Sequence, residues 1–141
     1  MNERERAECE LLRSLSSEAA ADWLMSTYPI ETPEWGLAMK LLPHRSWKKK
    51  EQVRLARYYL QRLPYASAVV YRAFSAFMSV PALVRVVRER LPLSAAHGDL
   101  LLYYLEPVLR EKARSQADIA LVNELLAELS DATGRSGSGA R

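Results

Sequence analysis

The chain has 141 residues, 49% hydrophobic and 26% charged, with 20 basic against 17 acidic side chains. That is the length of one domain with enough apolar material for a core, which argues against disorder throughout. The charged opening MNERERAECE lacks the apolar run of a secretory leader, so the expected location is cytoplasmic, and the single cysteine, Cys9, rules out an internal disulfide.

Apolar residues recur three and four apart, and no segment alternates like a half-buried strand, so the expected fold is all-α. The spacing predicts a first helix from Glu3 to Leu15, with Cys9, Leu12 and Leu15 on one side. A second runs from Ser17 as N-cap to Tyr28, burying Ala20, Trp23, Leu24 and Tyr28, and Pro29 stops it. Thr32-Pro33-Glu34 combines a hydroxyl cap, a first-turn proline and a carboxylate, and opens a third helix to Leu42. Ser46 is the expected cap of a long fourth helix, Trp47 to Leu63.

A fifth helix is expected over Tyr65 to Met78, and Ser79 with Pro81 opens a sixth that ends at Leu91. Leu63 to Val84 is the longest apolar run, but Pro64, Arg72 and Pro81 interrupt it and it does not suit a membrane span. Between Ser94 and Ala113, Asp99 reads as a cap for a fresh start and Pro107 predicts a kink or break near Leu105. Ser115 with Asp118 approximates a capping box for the last helix, to about Ser130. One helical domain is thus expected over 1–132, followed by a flexible Gly/Ser-rich tail over 133–141.

Leu42-Pro43, Leu63-Pro64 and Leu91-Pro92 each precede a serine by a few residues, at unequal spacings of 21 and 28. The expected architecture is a compact bundle of about seven or eight helices with the fifth at its centre. The alternative is an irregular short α-solenoid of stacked helical hairpins.

Charge is the sharpest signal. Residues 1–43 carry four basic and eight acidic side chains, residues 44–92 eleven and two, and residues 93–141 five and seven. On a helix through 47–63, Val53, Leu55, Ala56, Tyr59, Leu60 and Leu63 form a core face. Trp47, Lys50, Arg54, Arg57, Tyr58, Gln61 and Arg62 take the opposite arc, where cations stand among aromatic rings.

Such a face suits an acidic protein partner, since Arg, Trp and Tyr are enriched at interface hot spots. It suits nucleic acid as the alternative, through phosphate contacts and base stacking. It also suits plain solvation, with pairing to Glu3, Glu5, Glu8 and Glu10 of the first helix. The lone charge Arg72 is expected to reach water or to pair with Asp99 or Glu106.

His44 and His97 are 53 residues apart and both read as loop residues, and no metal, nucleotide or nucleophile-elbow motif accompanies them. The expected function is therefore a non-enzymatic interaction module of adaptor, inhibitor or immunity type, with no cofactor. Tyr103 is expected at the edge of the Leu101, Tyr104, Leu105, Val108 stripe. Ile119, Val122, Leu126 and Leu129 keep helical spacing in the last helix, too briefly for a coiled coil.

Overall fold

The computed structural model describes the backbone of residues 1–138 and the side chains of residues 1–131. Among the described residues all regular structure is helical: α1 (Glu3–Ser14), α2 (Ser17–Thr27), α3 (Ala38–Leu41), α4 (Lys49–Tyr59), α5 (Val69–Ser75), α6 (Val80–Arg88), α7 (Ala95–Lys112) and α8 (Gln116–Ser138). Two 3-10 turns, Pro33–Leu37 and Leu42–His44, flank α3.

Local chemistry sets most of the starts. Asn2 accepts from the Glu5 amide at 2.8 Å and caps α1, with Glu3 and Glu5 at the positive end of its dipole. Ser79 caps α6 with proline in the first turn, and Ser115 accepts from Asp118 N–H ahead of α8, as expected. The cap of α2 is Ser16 rather than Ser17. Ser17 lies one position inside, buried, and its Oγ accepts from the Lys48 amide, tying the start of α2 to that of α4.

The third, fourth and fifth predicted helices are shorter than expected, and the sixth ends at Arg88 rather than Leu91. Thr32 does not cap, because its hydroxyl donates to Pro29 O, and the third helix dissolves into 3-10 turns around one α-turn. Ser46 does not cap α4 either: the helix opens after Lys48 with no side-chain cap. α4 stops at Tyr59 because Leu63 precedes a proline and is pushed out of helical geometry. The stretch 60–68 is then a loop tied by Tyr65 N–H to Tyr71 Oη at 2.9 Å, so α5 begins only at Val69. Leu63-Pro64 and Leu91-Pro92 are cis.

Two expectations about α7 are corrected. Ser94 caps it, so Asp99 and His97 lie within the helix rather than in a turn. Pro107 does not break the helix, which runs on to Lys112; the carbonyl that loses its partner belongs to Tyr103, a residue 73% exposed. α8 continues past Ser130 to Ser138, and the tail expected over 133–141 lies outside the residues with described side chains.

The helices stack in two layers. α1, the α3 segment, α5 and α7 form one, each against the next; α2, α4, α6 and α8 form the other; α1 meets α2, α5 meets α6 and α7 meets α8. The multi-helix bundle is thus built from helical hairpins laid side by side. α5 packs on α3, α6 and α7, with Tyr71 and Phe74 fully buried.

α4 places Leu55, Ala56, Tyr59 and Leu60 against α2 and α6, and removing a leucine such as Leu55 from water is worth about 1.5–3 kcal/mol. α6 contributes Leu83, Val84, Val86 and Val87. Val122, Leu125, Leu126 and Leu129 close the far end, with Ile119 left 40% exposed. No helix among the described residues is long and apolar enough to cross a membrane.

Candidate docking surface

The arc predicted on α4 does not stand open. Trp47 is 5% exposed, its ring 6.5 Å from Phe77 and its Nε1 donating to Leu42 O at 2.8 Å. Tyr58 lies edge-on to Tyr59, and its hydroxyl accepts from the Ile30 amide at 2.9 Å. Gln61 Nε2 turns back to Tyr58 O, and Arg62 donates to Ile30 O at 3.1 Å. Of the seven residues, only Lys50 has a side chain that makes no hydrogen bond, ion pair or ring contact among the described residues. The aromatic rings that suited base stacking are core and loop anchors.

The arginines of that arc join neighbouring helices of one layer. Arg54 pairs with Asp22 of α2, and Arg57 grips Glu89, just after α6, through Nε at 2.9 Å and Nη2 at 2.8 Å. From α6, Arg88 reaches Glu128 of α8 at 3.1 Å and Glu124 at 3.8 Å. The other layer repeats the device with Lys40–Glu5 at 3.6 Å and Arg72–Glu111 at 3.0 Å.

Arg72 therefore finds neither Asp99 nor Glu106, and the basic centre does not pair with α1, whose Glu8 is held by Arg4 and by the Tyr28 hydroxyl at 2.7 Å. Three of these ties, from Arg54, Arg72 and Arg88, join the basic centre of the sequence to its acidic ends. Exposed pairs contribute about 0–1 kcal/mol each, so they fix the register of stacked helices more than they stabilise them. The Arg57 hydrogen bonds hold the Glu89 carboxyl below its ordinary value, with smaller contributions from the charges of Arg57, Arg90 and Arg85.

A residue that sequence reasoning passed over, Arg45, joins the end of α1 to the start of α4. Its Nη1 donates to Leu12 O at 2.6 Å and Leu15 O at 3.0 Å, at the end of α1, and its Nε to Ser46 O at 2.9 Å. The guanidinium sits 4.7 Å from the Trp47 ring centre, and burial lowers its pKa, offset by the charge of Glu51. Glu51, in the first turn of α4, is 3% exposed. Its place at a helix start, facing Arg45, is the local signal that could have found the pair.

With these charges paired, the side chains of Arg6, Arg13, Lys48, Lys49, Lys50, Arg85, Arg90, Lys112 and Arg114 are left without a hydrogen bond or ion pair among the described residues. Lys48, Lys49 and Lys50 stand exposed at the start of α4, and on the outer ridge of α6 the exposed Arg85 guanidinium makes no hydrogen bond or ion pair among the described residues, acting on Glu89 only through its charge. Beside Arg85 the stacked helices part. A cleft of about 410 Å³ between α4 and α6 is lined by Lys49, Val53, Phe77, Pro81, Ala82 and Arg85. A second, of about 490 Å³ between α6 and α8, is lined by Pro81, Arg85, Arg88, Glu89 and Leu121.

Both clefts share Pro81 and Arg85, so they flank a single ridge. The α4 cleft lies toward the N-terminal half of α6, while the α8 cleft runs along α6 to Arg88 and Glu89, the residues that tie its C-terminal end to α8 and α4.

No group of three or more metal-ligating side chains occurs among the described residues, and His44 and His97 are both exposed. Cys9 is buried beside Met1 Sδ at 3.9 Å, and burial pushes its thiol up from the ordinary value. No known protein family, characterised protein or solved structure matches this chain.

Proposed function

We propose that the chain is a non-enzymatic protein-interaction module whose ridge on α6, with its two clefts, takes an acidic segment of a partner protein. The observation that carries this is Arg85: a guanidinium with no hydrogen-bonded or ion-paired carboxylate, between two clefts with apolar floors, with Lys49 at the rim. Val53, Phe77, Ala82 and Leu121 are half-buried there, offering apolar contact without being sealed into the core. Apolar contact flanked by unpaired charge supports a segment that is both acidic and hydrophobic, and charge complementarity gives such a surface its specificity and speed of association.

The test is to capture partners from the native host, identify them, and measure reconstituted binding of the chain and its Lys49→Glu/Arg85→Glu variant. Neither side chain makes a hydrogen bond or ion pair, so the variant should stay folded by circular dichroism while affinity falls at least about tenfold, roughly 1.4 kcal/mol. Equal affinity would refute the assignment. Tight binding of mixed-sequence RNA or duplex DNA, with a steep salt slope set by Lys48, Lys49 and Lys50, would replace the acidic protein by a nucleic acid.

A further inference from the structure

Resting on that reading of the ridge, we infer that the docked segment is an amphipathic acidic α-helix lying across α6, with an apolar side chain in each cleft and a carboxylate on Arg85 between them. The geometry comes from the stack. Each cleft lies between α6 and a neighbour in the same layer, so the two are separated by about one interhelical spacing, 8–10 Å. Pro81 and Arg85 are four residues apart on α6, share one face, and line both clefts, so the clefts open on the same side.

An occupant must therefore present two apolar groups on one face, about 10 Å apart, with negative charge midway. In an α-helix, positions i and i+7 share a face and are about 10.5 Å apart. Positions i+3 and i+4 fall halfway along the same side. An extended chain does not meet the requirement, because its same-face side chains stand about 6.7 Å or about 13 Å apart and those three apart point to opposite faces.

The floors differ in kind. Val53, Phe77 and Ala82 give the α4 cleft the greater apolar surface, beside Gln52 and Ser79, while Arg88 and Glu89 wall the α8 cleft. Glu89 adds little repulsion, since both its oxygens are taken by Arg57. The larger apolar anchor thus belongs between α4 and α6.

The experiment uses synthetic helical peptides of about 18 residues, long enough to hold a helix in an alanine-rich host. One carries Leu at i and i+7 with Glu at i+3 and i+4. A second has the same composition with the leucines at i and i+5. A third keeps the glutamates and replaces both leucines by alanine. Binding to the full chain, to Arg85→Glu and to Ala82→Arg is read by fluorescence anisotropy at low salt.

The first peptide should bind at least about tenfold more tightly than the other two, with the advantage lost in both variants. If all three bind alike and Arg85→Glu weakens them equally, the helical two-anchor geometry is wrong while acidic docking on the ridge stands. If the first peptide does not bind, or binds without regard to Arg85, both this inference and the proposed function fall. Circular dichroism and thermal unfolding of the variants separate either result from misfolding.

Discussion

Arg45→Ala removes the guanidinium that joins the end of α1 to the start of α4. In the folded chain it donates to Leu12 O and Leu15 O at 2.6 and 3.0 Å and lies over Trp47 at 4.7 Å. Hydrogen bonds from a charged donor contribute about 1.5–3 kcal/mol when shielded, but Arg45 is half-buried and water partly replaces them, so about 1 kcal/mol each is the better figure. The stacking on Trp47 adds about 0.5–1 kcal/mol.

The expected loss is therefore about 2–3 kcal/mol, a large share of the stability of a small domain. Urea unfolding followed by the fluorescence of Trp23, Trp35 and Trp47 together reads it. Arg45→Lys should recover less than half, because a compact ammonium does not span two carbonyls and a ring together. A loss under about 0.5 kcal/mol, with an unchanged urea slope, would refute the assignment of Arg45 as the joint.

Three further outcomes are expected. Tyr59→Phe should destabilise by about 1–2 kcal/mol in the same assay, since the buried hydroxyl donates to Tyr28 O at 2.9 Å, sharing its proton with Leu24 O at 3.2 Å, which keeps the Tyr28 amide. Glu89 has a lower pKa folded than unfolded, so the folded state binds fewer protons. Its contribution is complete above the ordinary value of 4.5 and fades as pH falls through the lowered folded value; Glu89→Gln should flatten that part of the stability–pH curve.

Burial, with the Glu8 hydrogen bond, pushes Tyr28 up to about 12, and burial pushes Tyr71 up to about 12. These phenols stay protonated when folded, so the stability they add is present below their ordinary value of 10 and lost as pH rises toward 12. Ultraviolet titration near about pH 11 should show them un-ionised until urea unfolds the chain.

The sequence by itself determined what depends on near neighbours. The apolar spacing of Leu55, Ala56, Tyr59 and Leu60 fixed a core face, Ser79 and Ser115 fixed helix starts, and Tyr103 was placed at an edge where it is indeed exposed. These follow from the 3.6-residue repeat and from hydrogen bonds that span three residues. Tertiary structure decided which charges are free. Arg54 and Arg57 look like an open basic face on a lone helix, yet Asp22 and Glu89 stand 32 residues away on either side along the chain and close on them when the layers stack.

Trp47 and Tyr58 were likewise claimed by Leu42 and Ile30, at loops whose course no periodicity describes. Arg85 drew no notice in the sequence, being one arginine among eleven cations. It became the centre of the candidate surface only because stacking consumed its neighbours' charges and left a cleft on each side of its helix. Helix period is a property of the chain, whereas a charge's freedom is a property of what packs within a few ångströms of it.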